Sequence, residues 1–484
     1  MRGLLSVLLF SLLWGFSSLG EGVKLNRPEE GVLQAETGLV RYEFRELGGI
    51  LRSAHVHFTG YQLPPVETVP GWEGTTKPSL ALGVSLPFEV WLGDALVDPG
   101  RYEVRADQAK TGEARVQLSW AEGPQAVQKT FALDAKALYT APVEIRVRAP
   151  GQRVRLVLGH RPTGKDAPEL VFVYDGKKGA APLVPGAYTA FQGLGLVSKD
   201  RVYFLKVEGG NVLPFLGVNA NGQPVFGLEA MGELSVSGLL YTGRNRAVLL
   251  EKAGLQVLSS PGVFGRFLVW VMVFFEWLYR FTGNYGWAII LFTLATRVAV
   301  YPLTRNQHRA MAKMQRIAPK LKKLQERYKD DPETLRQQMM ELYKQERVNP
   351  LGGCLPLLLQ FPILILLWQA ILYSAEQIHL SPGFLWVRDL SQPDPYYALI
   401  ALATGAQWLQ QWLTQRRMPE TPSGGTQLMG WIFPLVMALL FLSFPAGLWL
   451  YWLVSTVLQI GQQLFFDWEL AREGRAAAGD GTSA

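Results

Sequence analysis

The chain holds a single cysteine, Cys354, so no intrachain disulfide can form. A large exported domain would have to be held by its core alone. Histidine is nearly as scarce. His55, His57, His160, His308 and His379 lie on different elements without metal-ligand spacing. His55-Val-His57 sets two imidazoles on one strand face, but no third ligand accompanies them. There is no Walker loop, no Gly-x-Ser-x-Gly elbow and no acid pair within the apolar segments. These absences exclude a disulfide-stapled scaffold and leave no residue set for nucleotide hydrolysis, acyl transfer or zinc chemistry. The expectation is a protein that is not an enzyme and uses no cofactor or metal.

What is plentiful is apolar. The 484 residues are 49% hydrophobic, with 15 Trp, 24 Phe and 17 Tyr. That mixture fits a soluble domain joined to a helical membrane domain. Met-Arg-Gly followed by the apolar run Leu4 to Leu19 reads as an export signal. Ser18 and Gly20 precede Glu21 in a small-x-small pattern that permits cleavage, and a retained anchor is equally consistent. Either way, residues 1–21 send the following chain outside the cytoplasm.

Residues 22–260 are predicted to form an exported β-sandwich domain. Period-2 runs recur at Arg115–Trp120, Glu144–Arg148, Arg153–Leu158, Val202–Val207 and Glu233–Ser237. Turn signals at Pro150-Gly151 and Asn221-Gly222 separate them. Residues 261–282 come next. In Val263–Phe281 the charges Arg266, Glu276 and Arg280 fall within a sector of roughly 80°, as on a helix lying along the outer membrane face.

Five segments have the length a bilayer needs: Tyr285–Leu303, Leu355–Tyr373, Tyr396–Leu413, Leu428–Phe444 and Ala446–Phe466. They make residues 283–466 a five-helix membrane core, followed by a short tail, 467–484, whose last dozen residues read as disordered. Residues 305–350 carry twelve Lys and Arg against six acids. By the positive-inside rule this segment is cytoplasmic. It reads as a helical hairpin, with Met311, Met314, Ile317, Leu321, Leu324 and Tyr328 on one arm and Leu335, Met339 and Leu342 on the return. Asp331-Pro332-Glu333 starts the second arm with a cap, a first-turn proline and an acid. Its basic outer face, with Lys313, Arg316, Lys320 and Lys323, can attract RNA, anionic lipid or nascent chain, or simply be solvated.

Arg297 sits near the middle of the first span. An arginine there costs on the order of 2.5–3.5 kcal/mol on insertion scales. No carboxylate lies within reach along its own segment. Thr293 shares its helix face, one turn earlier. Gln407, Gln410 and Gln411 share a face of the third span; Trp452, Ser455, Gln459 and Gln462 run down one face of the last; Gln360 lies in the second. A shared polar groove would give Arg297 the environment it needs. The competing readings are interhelical hydrogen bonding alone, or an arginine that snorkels or neutralises a buried acid. A transporter or channel with a sugar-binding exported domain is the alternative function. It would call for ionisable pairs in several spans or an inverted repeat, and neither is visible.

The motifs Asn284-Tyr-Gly-Trp, Thr293, Arg297, Tyr301-Pro-Leu-Thr304, Met311-Ala-Lys-Met314, Pro319-Lys320, Asn349–Pro362, Asp389-Leu390, Asp394-Pro-Tyr-Tyr397, Phe444-Pro-Ala-Gly447 and Leu450-Tyr451 resemble the YidC/Oxa/Alb membrane insertases. The likeness covers roughly residues 240–466. It implies a five-helix insertase core with an exported supersandwich-like β domain, in the bacterial inner membrane with the β domain in the periplasm. It implies a hydrophilic groove open to cytoplasm and lipid, in which Arg297 helps draw in acidic substrate tails and Thr293 and Gln360 line the wall. The implied partners are nascent membrane proteins, the ribosome, the Sec translocon and the lipid bilayer, with insertase and chaperone activity in a functional monomer. Two features depart from the family pattern. Trp452 stands where a tyrosine is frequent, and the tail after Phe466 is short and nearly neutral, which leaves ribosome docking to the hairpin.

Overall fold

The computed structural model describes residues 22–480 apart from 59–64, 70–86, 94, 97–99, 110–111, 161–166, 180–190, 220–221, 260–262, 330, 347–354 and 417–423. For 95–96, 263–264, 306–308, 310–316, 318, 355–360, 424–430, 470–471 and 473–480 it describes the backbone alone. The signal segment and Cys354 therefore lie outside the described residues. Contacts divide the chain between Val269 and Trp270.

The strands of the first unit are all paired antiparallel. A five-stranded meander runs in chain order through Lys24–Asn26, Val32–Glu36, Val40–Arg45, Ile50–Val56 and Val66–Glu67. A twelve-stranded sheet is built around two long central strands, Thr140–His160 and Pro224–Arg244. Alternation explains the first of these: Ala141, Val143, Ile145, Val147 and Ala149 are buried while Glu144, Arg146 and Arg148 face out. The expected break at Pro150-Gly151 is not a strand end. Pairing with Pro224–Arg244 resumes at Arg153 after Arg148, so the Pro-Gly pair sits in a bulge, with Gly151 at φ +74°. The two expected strands are one.

The sheets pack through Phe44, Phe88 and Phe131, whose ring centroids lie 4.9 and 5.0 Å apart. Tyr42 of the meander meets Thr242 of the larger sheet at 3.3 Å. Lys129 is fully buried in this seam. Its ammonium donates to the carbonyls of Gly49 at 2.7 Å and Phe88 at 2.6 Å and lies 4.6 Å from the Tyr102 ring. Burial pushes its pKa down to about 7, with Glu89 pulling the other way.

The helices are α1 (Ala247–Lys252), α2 (Val263–Thr282), α3 (Tyr285–Arg327), α4 (Pro332–Gln345), α5 (Leu355–Tyr373), α6 (Ala375–His379), α7 (Ala398–Gln415), α8 (Gly424–Leu440) and α9 (Ala446–Asp480). Helix α3 fuses the first expected span with the first arm of the hairpin and runs through Pro302 and Pro319. Its segment Tyr285–Arg305 is, among the described residues, the one stretch long and apolar enough to cross a membrane; Phe361–Tyr373 and Trp431–Leu440 are apolar but shorter. Helix α9 continues to Asp480, through residues expected to be disordered. Ala476, Ala477 and Ala478, the best helix former three times over, account for that. On α2 the outward face carries aromatics beside the charges, with Arg266 and Arg280 both exposed. Trp270, Trp277 and Phe281 are exposed, Val271, Phe275 and Leu278 pack on the bundle, and Glu276 pairs with Arg280 at 3.0 Å.

In the hairpin, Ile317 and Leu321 pack against Met339, Leu342 and Tyr343 across the two arms. The Asp331 carboxylate caps α4, accepting from the Thr334 amide at 3.1 Å. At the opposite end of the bundle, residues 381–397 fold under the helices. A Cβ on Gly286 would lie 2.1 Å from the Phe384 ring, so only glycine lets that ring seat itself. Asp394, buried, accepts from the Leu399 amide at 2.7 Å and from Trp386 Nε1 at 3.1 Å, which fixes the start of α7. These contacts set the register of α3 and α7, and the Ala446 and Gly447 amides, donating to the Gln392 and Leu390 carbonyls at 2.7 and 2.9 Å, anchor the start of α9.

Candidate functional site

Thr293, Arg297, Tyr301 and Arg305 recur every four residues and so form one stripe along α3. Ser455, Gln459, Phe466 and Glu469 fall within a sector of roughly 80° on α9. These two stripes face each other. Arg297 is only 6% exposed. Its Nη2 donates to Ser455 Oγ. The Gln459 amide finds satisfactory partners only with its oxygen toward the guanidinium, where it accepts from Nη2 at 2.8 Å and Nη1 at 2.9 Å. In that orientation its nitrogen lies 3.1 Å from the side-chain amide of Gln410 on α7. One turn along, Gln463 donates to Thr414 Oγ1 at 3.4 Å. Toward the helical hairpin, Tyr301 stacks on Phe466 with centroids 5.7 Å apart, and Arg305 pairs with Glu469 at 2.5 Å.

Arg297, Gln410, Ser455 and Gln459 thus form one network across three helices. Thr293 is fully buried, and its hydroxyl donates to Ile289 O of its own helix at 2.7 Å. Gln407 and Trp452 are half-buried, and Trp452 stacks on Trp449 at 5.5 Å. The side chain of Gln360 lies outside the described residues, as do those of Met311, Lys313, Met314 and Arg316. Lys320 and Lys323 are exposed on the hairpin, Lys320 paired with Glu346 at 2.6 Å. Among the described residues no cluster of three or more His, Cys, Asp or Glu is placed to hold a metal.

Chemically, the network presents a fixed cation to neutral oxygen acceptors inside an apolar bundle. Hydroxyl and amide oxygens satisfy guanidinium donors without cancelling its charge. A carboxylate makes shorter and stronger bonds to the same donors and would displace them. Sequence reading quoted Tyr301 only as a motif residue and did not select Arg305, Thr414, Gln463 or Glu469. Each but Glu469 lies four residues, or two fours, from a residue it did select; Glu469 announced itself only as an acid in a nearly neutral tail.

The 60Kd inner membrane protein family matches residues 277–472. A protein named "Membrane protein insertase YidC" from Wolinella succinogenes is 41% identical over 295 residues, covering 60% of this chain and 54% of its own. One of the same name from Shewanella frigidimarina is 46% identical over 204 residues, covering 41% of this chain and 36% of its own. The chain spans about half the length of the curated relatives it matches, or less. A crystal structure of an active YidC insertase with the first transmembrane domain resolved shares the fold, with a TM-score of 0.59 at 23% identity, covering 95% of this chain and 98% of that one. The motifs and the matched segment, residues 277–472, are similar to those of the YidC/Oxa/Alb family, and the fold is similar to that of the YidC insertase.

Proposed function

We propose that the protein is a membrane insertase and chaperone. The observation that carries this reading is Arg297, a permanent cation buried in an apolar bundle and hydrogen-bonded to the neutral groups Ser455 and Gln459. An acidic substrate tail entering from the cytoplasm exchanges for those acceptors. Thr293, Gln360, Gln407 and Trp452 line its path. The apolar part of the substrate then leaves sideways along exposed apolar rows such as Trp431, Leu435 and Leu439 of α8.

No nucleotide or bond chemistry is needed. Burying apolar substrate surface in lipid yields roughly 25 cal/mol per Å². With the cytoplasm negative, outward movement of an acidic tail is favoured by about 2.3 kcal/mol per charge per 100 mV. The cytoplasmic hairpin, through Lys313, Arg316, Lys320, Lys323, Met311 and Met314, captures nascent chain and docks the ribosome. The protein sits in the bacterial inner membrane with residues 22–260 in the periplasm and the C-terminus in the cytoplasm. It works as a monomer, alone on small substrates and beside the Sec translocon on larger ones.

The test is reconstitution. The purified chain in lipid vesicles should protect a short, acidic-tailed single-span substrate from added protease, without nucleotide. Protection no better than in empty vesicles sinks the reading.

A further inference from the structure

The seam between α3 and α9 has three rungs. Arg297 bonds Ser455 and Gln459, Tyr301 stacks on Phe466, and Arg305 pairs with Glu469 at 2.5 Å. The rungs follow i, i+4, i+8 on α3, so Arg305 lies about 12 Å along the helix from Arg297, at 1.5 Å per residue. Tyr301 and Phe466 occupy the face between the two arginines. The ionic rung is the one nearest the basic hairpin, and its two side chains are 38% and 27% exposed. Arg297 at the inner end is 6% exposed. A carboxylate arriving from the cytoplasm therefore meets Arg305 before Arg297.

We propose that Glu469 is a built-in stand-in for the acidic substrate tail. Its carboxylate occupies Arg305 at rest and closes the seam. An incoming tail carboxylate displaces it, pairs with Arg305, and the opened seam passes that tail one arginine further to Arg297. Arg305 is thus the first reader of substrate charge and Glu469 its competitor. The exchange replaces one carboxylate by another on the same guanidinium, so it proceeds without a change in net ion pairing. A half-exposed pair suits this role, since such pairs contribute little and exchange readily. The proposal rests on the insertase reading above.

The experiment measures binding of a fluorescent acidic-tail peptide, and of the same peptide with its acids changed to Asn or Gln, to the full chain in lipid nanodiscs at low salt. Insertion of the matching substrates is scored alongside. Removing the competitor with Glu469→Gln is expected to tighten the acidic peptide by about two- to five-fold, the scale of an exposed ion pair. Arg305→Gln is expected to weaken it by a similar factor. Glu469→Asp, which keeps the charge on a shorter stem, falls between wild type and Glu469→Gln. Swapping the pair with Arg305→Glu and Glu469→Arg together restores the latch and near-wild-type affinity. The neutral peptide is unaffected throughout.

Opposite signs for the two single variants are the signature, because a merely structural pair would weaken binding and stability in both. Same-sign effects, or a Glu469→Gln effect equal for the two peptides, overturn the latch and leave the insertase reading standing. A wild-type chain that inserts its substrate but never distinguishes the two peptides also overturns the latch. A wild-type chain that inserts neither substrate overturns both.

Discussion

Replacing Arg297 separates a charge that works from a charge that merely holds the bundle together. Arg297→Ala removes bonds from a cation to Ser455 and Gln459, each worth about 1.5–3 kcal/mol. It also removes the cost of burying the cation, on the order of 2.5–3.5 kcal/mol. The Ser455 hydroxyl and Gln459 amide left behind are neutral, and the Gln459 amide still lies 3.1 Å from that of Gln410. The terms oppose, so the expected loss of stability centres near about 1.5 kcal/mol and stays within about 3.5 kcal/mol. An arginine paired with a buried acid would instead cost about 3–5 kcal/mol on removal. Activity should respond far more. Losing one charge-assisted contact to a substrate carboxylate, about 1.5–3 kcal/mol, lowers insertion about ten- to a hundredfold. The assay is protease protection in vesicles, with the acidic-tailed substrate and its neutralised version compared on protein of verified melting temperature. Arg297→Lys keeps the charge but loses the planar fork, and should retain much activity; Arg297→Glu should be the most defective. An Arg297→Ala protein that unfolds, or whose defect is the same for both tails, refutes charge capture.

Much of this was legible from residue spacing. Arg297 stands out because a permanent charge within an apolar span is costly, whatever surrounds it. Strands such as Glu144–Arg148 stand out because alternation leaves one face with no polar group. Boundaries were less legible, for a physical reason. Pro150-Gly151 suits a turn and a bulge equally, and only the length of the partner strand Pro224–Arg244 decides between them. Similarly, the apolar run of α3 ends near Arg305, but the helix does not. Hydropathy marks where a membrane could end; backbone hydrogen bonding continues wherever nothing interrupts it. The polar face of α9 was readable, yet Gln459, Gln462 and Gln463 lie too close in angle for spacing to choose among them. Which of these meets Arg297 depends on the roll of α9 against α3. That roll is set by distant packing, such as Gly447 seated against Ile289, Ile371 and Leu390.

Three further outcomes are expected. Reversing Lys313, Arg316, Lys320 and Lys323 to Glu should leave helicity intact but reduce ribosome cosedimentation and insertion; unchanged insertion at normal abundance would mean that this surface is only solvated. With Trp270→Cys in a Cys354→Ser background, a spin or fluorescent label should report shallow depth by lipid quenching, as for a helix along the outer face; a bilayer-centre depth would mean that α2 spans. The last concerns Lys129, whose ammonium burial pushes from 10.5 down to about 7. Between those values the unfolded chain binds a proton that the folded chain does not, so the stability of the β domain should rise with pH from about 7 to 10. The limiting slope is a factor of about ten in the unfolding constant per pH unit. Below about 7 both states are protonated and this contribution is flat. Lys129→Met keeps an unbranched apolar stem but does not titrate, so it should remove that slope even though the carbonyls of Gly49 and Phe88 lose their donor. Hydrogen exchange of peptides spanning Gln125–Asp134 in the full chain, corrected for the intrinsic pH dependence of exchange, measures the difference. If wild type and Lys129→Met follow parallel profiles across this window, or if wild type loses stability relative to the variant as pH rises, the ammonium in the seam is not the group that couples this domain to pH.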